Sequence, residues 1–206
     1  MIIAIDGPAA AGKGTLARKI ADHFGFAYLD TGSLYRATAL TLIRNGNDNP
    51  SSENAVEAAK NLDPSLFSDA DLRSEETGRM ASHVAKMEPV RAALKTYQRA
   101  FAATPPDGAK GAVLDGRDIG TVICPDAPLK LFVTASSEVR AKRRWLEEKE
   151  KSPNVLFEDV LAQVVARDEQ DQNRPVAPLK PADDAHILNT SEMDIDTVFK
   201  KALELF

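Results

Sequence analysis

An α/β fold, a parallel sheet covered by helices, is predicted by three features of this 206-residue sequence. Short apolar runs alternate with segments whose apolar residues recur at helical spacing. The first run, Ile2-Ile3-Ala4-Ile5, ends in a glycine-rich turn that opens a helix. The length suits one core domain with small appendages, and a core of that size needs no disulfide staples.

Each element follows in order. Leu16, Ile20 and Phe24 place a helical stripe on 13–24, and Phe26–Leu29 reads as a second short strand ending at Asp30-Thr31-Gly32. A helix is expected over roughly 33–44. Asn45 to about Asp71 is rich in Asn, Ser, Asp and Pro and reads as an exposed excursion outside the core, broken by a helical piece near Glu53–Asn61. Helices are expected over 72–87 and 89–103, divided at Glu88-Pro89, where proline suits a first helical turn. Ala112–Asp115 and Lys130–Thr134 are strand candidates. Ser136-Ser137 caps a helix running to about Lys151, and another covers about 156–172. Arg174–Asp183, with Pro175, Pro178 and Pro181, must be a loop. Ile187-Leu188 starts a last strand before an amphipathic helix over 194–205. Such alternation favours a doubly wound sheet.

Composition excludes several classes of function. The chain is 43% hydrophobic and 28% charged, ordinary for a globular protein. No apolar run approaches the ~20 residues that span a bilayer, so no membrane partner is expected. The opening residues lack a basic leader and a long apolar segment, so a cytoplasmic location is expected. A net charge of -5 speaks against general nucleic-acid binding. Cys124 is the single cysteine, and His23, His83 and His186 have no metal-ligand spacing, so no protein-built metal centre is expected.

The strongest local signal is Gly7-Pro8-Ala9-Ala10-Ala11-Gly12-Lys13-Gly14-Thr15, between a strand and a helix. This is the phosphate-binding loop pattern in its proper context. Small residues let consecutive backbone N–H groups face phosphate oxygens, and the helix dipole adds positive potential. Lys13 supplies a mobile charge for the β- and γ-phosphates. Gly14 stands where Ser or Thr usually holds magnesium, and the hydroxyl comes one place later, at Thr15. That Gly-Lys-Gly-Thr form is typical of nucleoside-monophosphate kinases.

Three further clusters suit a phosphorylated acceptor, and no Asn-Lys-x-Asp guanine-recognition element occurs. In Asp30-Thr31-Gly32-Ser33-Leu34-Tyr35-Arg36, Thr31 can hydrogen-bond a sugar or phosphate and Arg36 can fork onto phosphate oxygens, though the same residues equally suit a helix N-cap. In Val113-Leu114-Asp115-Gly116-Arg117-Asp118-Ile119-Gly120, Arg117 offers a phosphate clamp and Asp118 an acceptor for a base amino group; a surface turn is the plainer alternative. Arg167, Asp171 and Arg174 fall at i, i+4 and i+7, one side of a helix, where charges are commonly just solvated. The proline-rich segment that follows makes a lid hinge plausible.

With GPAAAGKGT, LDTGSLYR, DGRDIGT, PDAPLKLFVTASSEVRAKRR and RDEQDQNRPVAPL in this order, the chain resembles bacterial cytidylate kinase over nearly its whole length. The resemblance implies one P-loop nucleotide-kinase domain over 1–206. Its core would comprise about 1–36, 104–145 and 183–206, with a monophosphate-binding excursion over about 37–103 and a lid over about 146–182. It implies transfer of the γ-phosphate of ATP, carried with Mg²⁺, to CMP or dCMP by a monomer that needs no further partner. ATP would lie on Gly7 to Thr15. Thr31 and Arg36 would contact the pentose-phosphate region, and Ser82, Arg91 and Asp118 would read the cytosine. Arg117 and Arg174 would bridge phosphates, with Arg167 and Asp171 on the sugar hydroxyls or in lid closure. Lys13, Arg117, Arg167 and Arg174 would be the catalytic set. Many members carry a sheet-forming insert in the monophosphate-binding region. Here Leu62 to Glu76 is short, acidic and poor in β-branched residues, so that sheet is expected to be missing.

Overall fold

Ile3, Ile5, Val113, Leu114, Leu131 and Val133 are buried because their strands are covered on both faces, the condition under which a strand reads as an unbroken apolar run. A computed structural model describes residues 1–150 and 152–206. Its elements are β1 (Ile2–Asp6), α1 (Lys13–Phe24), β2 (Ala27–Asp30), α2 (Thr31–Arg44), α3 (Ser52–Lys60), α4 (Glu75–Val84), α5 (Glu88–Ala103), β3 (Ala112–Gly116), β4 (Leu129–Thr134), α6 (Ser137–Lys149), α7 (Phe157–Asn173), β5 (His186–Asn189) and α8 (Ile195–Leu203). Lys151, the expected end of α6, lies outside the described residues.

The chain divides into two units, Met1–Leu29 with Pro105–Phe206, and Asp30–Thr104. The sheet of the first runs in the order β2-β3-β1-β4-β5. β1 pairs in parallel with β3 and β4, and β4 with β5. After β1 the chain leaves toward β2 and β3; after β3 it crosses to β4 on the other side. In open α/β sheets ligands gather at the carboxyl ends of strands beside such a reversal. Gly7, Arg117 and Ala135 follow directly the ends of β1, β3 and β4. Leu16, Ala17 and Ile20 of α1 and Val198 and Ala202 of α8 complete this core, each large aliphatic chain contributing about 1.5–3 kcal/mol on burial.

The second unit is helical, its described residues outside Asp30 forming no strand. The stretch 62–76 holds 3-10 turns at Pro64–Ser68 and Ala70–Arg73 instead of a sheet. The expectation that Asn45–Asp71 stays outside any core is corrected. Ala55, Ala58 and Ala59 are buried, and Leu66 packs with Ala37, Leu40 and Leu72. The polar composition belongs to the opposite faces of short helices and turns, from which Ala55, Ala58, Ala59 and Leu66 turn inward while Phe67 stays exposed.

One glycine fixes how the first loop leaves the sheet. Gly7 has φ 148°, and a Cβ there would stand 1.9 Å from the Val133 carbonyl oxygen of β4. Gly7→Ala is therefore expected to lose about 3 kcal/mol of stability through strain and displacement of β4. Urea unfolding checks this; an unchanged midpoint would contradict it.

Candidate active site

The loop after β1 is shaped from within and from outside. Gly12 has φ 88° and Ala10 has φ 58°, so the chain curls before α1 begins at Lys13. Lys13 is buried and its Nζ donates to the Pro8 carbonyl at 3.1 Å, which folds the ammonium back over the loop. The Ala9 carbonyl accepts from Arg140 Nη1 at 3.3 Å, and the Ala11 carbonyl from Thr190 Oγ1 at 3.2 Å. Thr15 is exposed in the first turn of α1.

Two carboxylates lie beneath the loop. Asp6 ends β1 and accepts from the backbone N–H groups of Ile119 (2.8 Å) and Gly120 (2.7 Å). It thereby pins the turn that carries Arg117 and Asp118, which continues into a π-helical turn at Ile119–Ile123. Burial pushes the Asp6 carboxyl up to about 6, against the two amides and Lys13, which favour its charge. Asp115, at the penultimate position of β3, accepts from Tyr28 Oη at 3.2 Å. A Cβ on Gly14 would lie 3.2 Å from Asp115 Oδ2, so this carboxylate stands close to where a side chain after Lys13 would project.

The guanidinium groups converge in the same unit. Arg117 Nε donates to Asp171 Oδ2 at 2.8 Å, and Arg167 Nε lies 3.6 Å from Asp171 Oδ1. Arg174, directly after α7, has Nη2 3.6 Å from Asp118 Oδ1, while its Nε donates to the Ala177 carbonyl at 2.5 Å. Burial alone would lower the Arg117 pKa, but Asp171, Asp115 and Asp6 outweigh it and leave it raised. Burial alone would raise Asp171; Arg117 and Arg167 hold it below the usual carboxylate range instead. Arg117 and Asp171 therefore stay ionised around neutrality, the arginine by its chemistry and the acid by its neighbours.

In the second unit Asp30 is the N-cap of α2, accepting from Ser33 N at 3.2 Å and Ser33 Oγ at 2.7 Å, with Thr31 buried in the first turn. The capping alternative for this cluster is thus realised at Asp30. Arg36 Nη1 donates to the Leu72 and Ser74 carbonyls at 3.0 and 3.3 Å. Its guanidinium lies against Gly78 of α4, where a Cβ would come within 3.0 Å of Nη2. Ser82 Oγ donates to the Gly78 carbonyl at 2.8 Å. Arg91 is buried, donates to the Ala85 carbonyl at 3.4 Å and lies over the Tyr35 ring at 5.9 Å. Arg36, Ser82 and Arg91 thus gather around α4.

The family model for cytidylate kinase matches residues 3–206. The chain belongs to that family. The "Cytidylate kinase" of Paramagnetospirillum magneticum is 57% identical over 202 residues, 98% of this chain and 95% of the relative. That of Methylocella silvestris is 54% identical over 203 residues, covering 98% and 92%. A solved structure of an uncharacterized protein from Eubacterium ventriosum superposes with TM-score 0.57 at 15% identity, covering 99% of this chain and 96% of that one, a likeness of fold alone.

Relative to this cytidylate-kinase frame, reading the sequence passed over several residues that shape the site. Asp6 had a signal, since an acid ends an otherwise apolar strand directly before the loop. Gly78 and Tyr35 had none, because their partners lie on other helices. Arg140 lies in a basic helix whose pattern does not single it out.

The Asp6 shift has a sign that can be checked. Its pKa is raised from 3.8 to about 6, so the folded chain holds this proton more tightly than the unfolded one. Stability from Asp6 is fullest in acid and is lost as pH rises through about 6. The stability of the wild type minus that of Asp6→Asn is expected to fall by about 2–3 kcal/mol between roughly pH 4 and pH 7. Urea titrations across that range measure it; a difference flat in pH would contradict it.

Proposed function

We propose that the chain transfers the γ-phosphate of ATP to CMP or dCMP, giving ADP and CDP or dCDP, with Arg117, Asp118, Arg167, Asp171 and Arg174 as the polar machinery. The observation that carries this reading is the gathering of these guanidiniums on Asp171 and Asp118 at the end of β3, in a member of the cytidylate kinase family.

ATP lies on Gly7, Pro8, Ala9, Ala10, Ala11, Gly12, Lys13, Gly14 and Thr15, its phosphates on backbone N–H groups and Lys13. The acceptor phosphate is already an anion near neutral pH and needs no general base. What remains is positioning and charge neutralisation. Arg117 and Arg174 grip phosphate oxygens, and Arg167 with Asp171 steers the segment 146–182, which acts as the lid and keeps water from competing. Thr31 and Arg36 hold the pentose-phosphate part of the acceptor, and Ser82, Arg91 and Asp118 read its base.

Mg²⁺ enters with ATP. Among the described residues no cluster of three or more His, Cys, Asp or Glu could hold a metal ion by itself. Magnesium that arrives on phosphates needs little more than one carboxylate and a hydroxyl nearby. Asp115, beside Gly14, and the exposed Thr15 would supply that set. The ion supplies neutralisation of charge on the β- and γ-oxygens. The enzyme acts as a cytoplasmic monomer.

ADP release measured with CMP, dCMP, UMP and AMP should be fast for the cytosine nucleotides and slow for the others. Equal rates with all of them would overturn the acceptor assignment. Arg117→Ala should lower turnover on CMP by about 10³-fold while ATP binding persists; near-normal turnover would remove Arg117 from the transfer step.

A further inference from the structure

Arg140 is among the most buried charged residues of the chain, at 4% exposure, and the transfer scheme above gives it no role. It rises from the first turn of α6, and its guanidinium joins separate segments of the first unit. Nε donates to the Ala135 carbonyl at the end of β4 (2.9 Å). Nη1 donates to the Ala9 carbonyl in the phosphate loop (3.3 Å) and to Asp168 Oδ1 (3.0 Å). Nη2 donates to Asp168 Oδ2 (2.5 Å). The last two form a parallel fork, the strongest geometry available to this pair.

Asp168 belongs to α7, immediately after Arg167 and three residues before Asp171. At 3.6 residues per turn its direction differs from that of Asp171 by about 60° and from that of Arg167 by about 100°. Holding Asp168 in a bidentate fork therefore fixes how far α7 is rotated, and with it where Arg167 and Asp171 project.

The grip on Ala9 acts on the loop. A trans peptide is planar, with C=O and N–H on opposite edges. Drawing the Ala9 carbonyl toward Arg140 turns the Ala10 N–H the other way, and the φ of 58° at Ala10 belongs to that curl. The carbonyl two residues on is treated alike. Ala11 O accepts from Thr190 Oγ1, and Thr190 is held in turn by Arg143, which donates to its Oγ1 at 3.1 Å and its carbonyl at 2.7 Å. Two arginines one turn apart on α6 thus hold alternate loop carbonyls, those of Ala9 and Ala11, Arg140 directly and Arg143 through Thr190.

We propose that Arg140 is a positioning residue, linking the phosphate-loop peptide at Ala9 to α7 through Asp168 so that loop amides and lid guanidiniums are set together. This deepens the phosphotransferase reading and rests on it. The fork needs a planar guanidinium: lysine retains the charge but cannot meet Ala135, Ala9 and both Asp168 oxygens at once. Loosening the link frees α7 to stand off the loop, which lowers transfer and admits water as a competing acceptor.

The test uses the full chain as wild type, Arg140→Lys, Asp168→Asn and the double variant. Each single change should lower kcat with CMP by about tenfold and raise inorganic phosphate formed per CDP several-fold. The double variant should be little worse than either single one, as for residues acting as one unit. Multiplying losses, or an unchanged ratio of phosphate to CDP, would overturn the proposal. Hydrogen exchange without any nucleotide reads the same link independently of the reaction. Amides of 157–173 should exchange faster in either single variant while those of β1 and β3 stay protected, and unchanged α7 exchange would also overturn it. If Arg140→Lys fails to fold, Asp168→Asn carries both readouts. A wild type that makes no CDP, with α7 exchange still raised in the variants, would sink the phosphotransferase reading and leave the link standing.

Discussion

The carboxylate of Asp171 lies 2.8 Å from Arg117 Nε and 3.6 Å from Arg167 Nε, and the arrangement of charge in the first unit depends on it. Guanidiniums this close, with Lys13 also buried, repel one another strongly where water is scarce. A buried carboxylate between them makes the cluster tolerable before any anionic ligand arrives. The second acid, Asp118, plays the same part toward Arg174. Arginines so held are already oriented, the state that the proposed role on developing phosphate charge requires of them.

The sheet explains why these groups meet. β1 lies between β3 and β4, so the residues following all three strands open at one end of the sheet. Asp6, on the last residue of β1, reaches the amides that follow Arg117 and Asp118 and sets their turn against the phosphate loop. Arg140 does for α7 what Asp6 does for the β3 turn. Neither residue touches ATP or the acceptor in the proposed reaction; both hold groups that do so in that proposal.

How far the sequence could be read depended on how local each cause was. The phosphate loop was legible because strand, glycine-rich turn and helix are contiguous. Helix starts were legible at Asp30 and Ser136, whose side chains cap their own first turns. The buried part of the excursion was not: the apolar residues of 45–71 are few, and only partners elsewhere in the chain, Ala37, Leu40 and Leu72 for Leu66 and the neighbouring α2 and α5 for the alanines of α3, show that these turn inward. The π-helical turn after Asp118 was illegible for the same reason, since an acid more than a hundred residues earlier pins it. Within the candidate site, the spacing of Arg167 and Asp171 predicted a shared face, but only the fold puts Arg117 between α7 and the end of β3. Ser82 and Arg91 entered through resemblance to a family, and the approach of Arg36 and Ser82 to Gly78 has no trace in local pattern.

The central claim is that charge held in this way delivers the γ-phosphate to a nucleotide in preference to water. Phosphorus NMR of ATP and CMP with catalytic enzyme tests it directly. Loss of the ATP γ-signal should be matched by growth of the β-phosphorus signal of CDP, with little inorganic phosphate. A γ-signal that is lost to inorganic phosphate while CMP persists would contradict it.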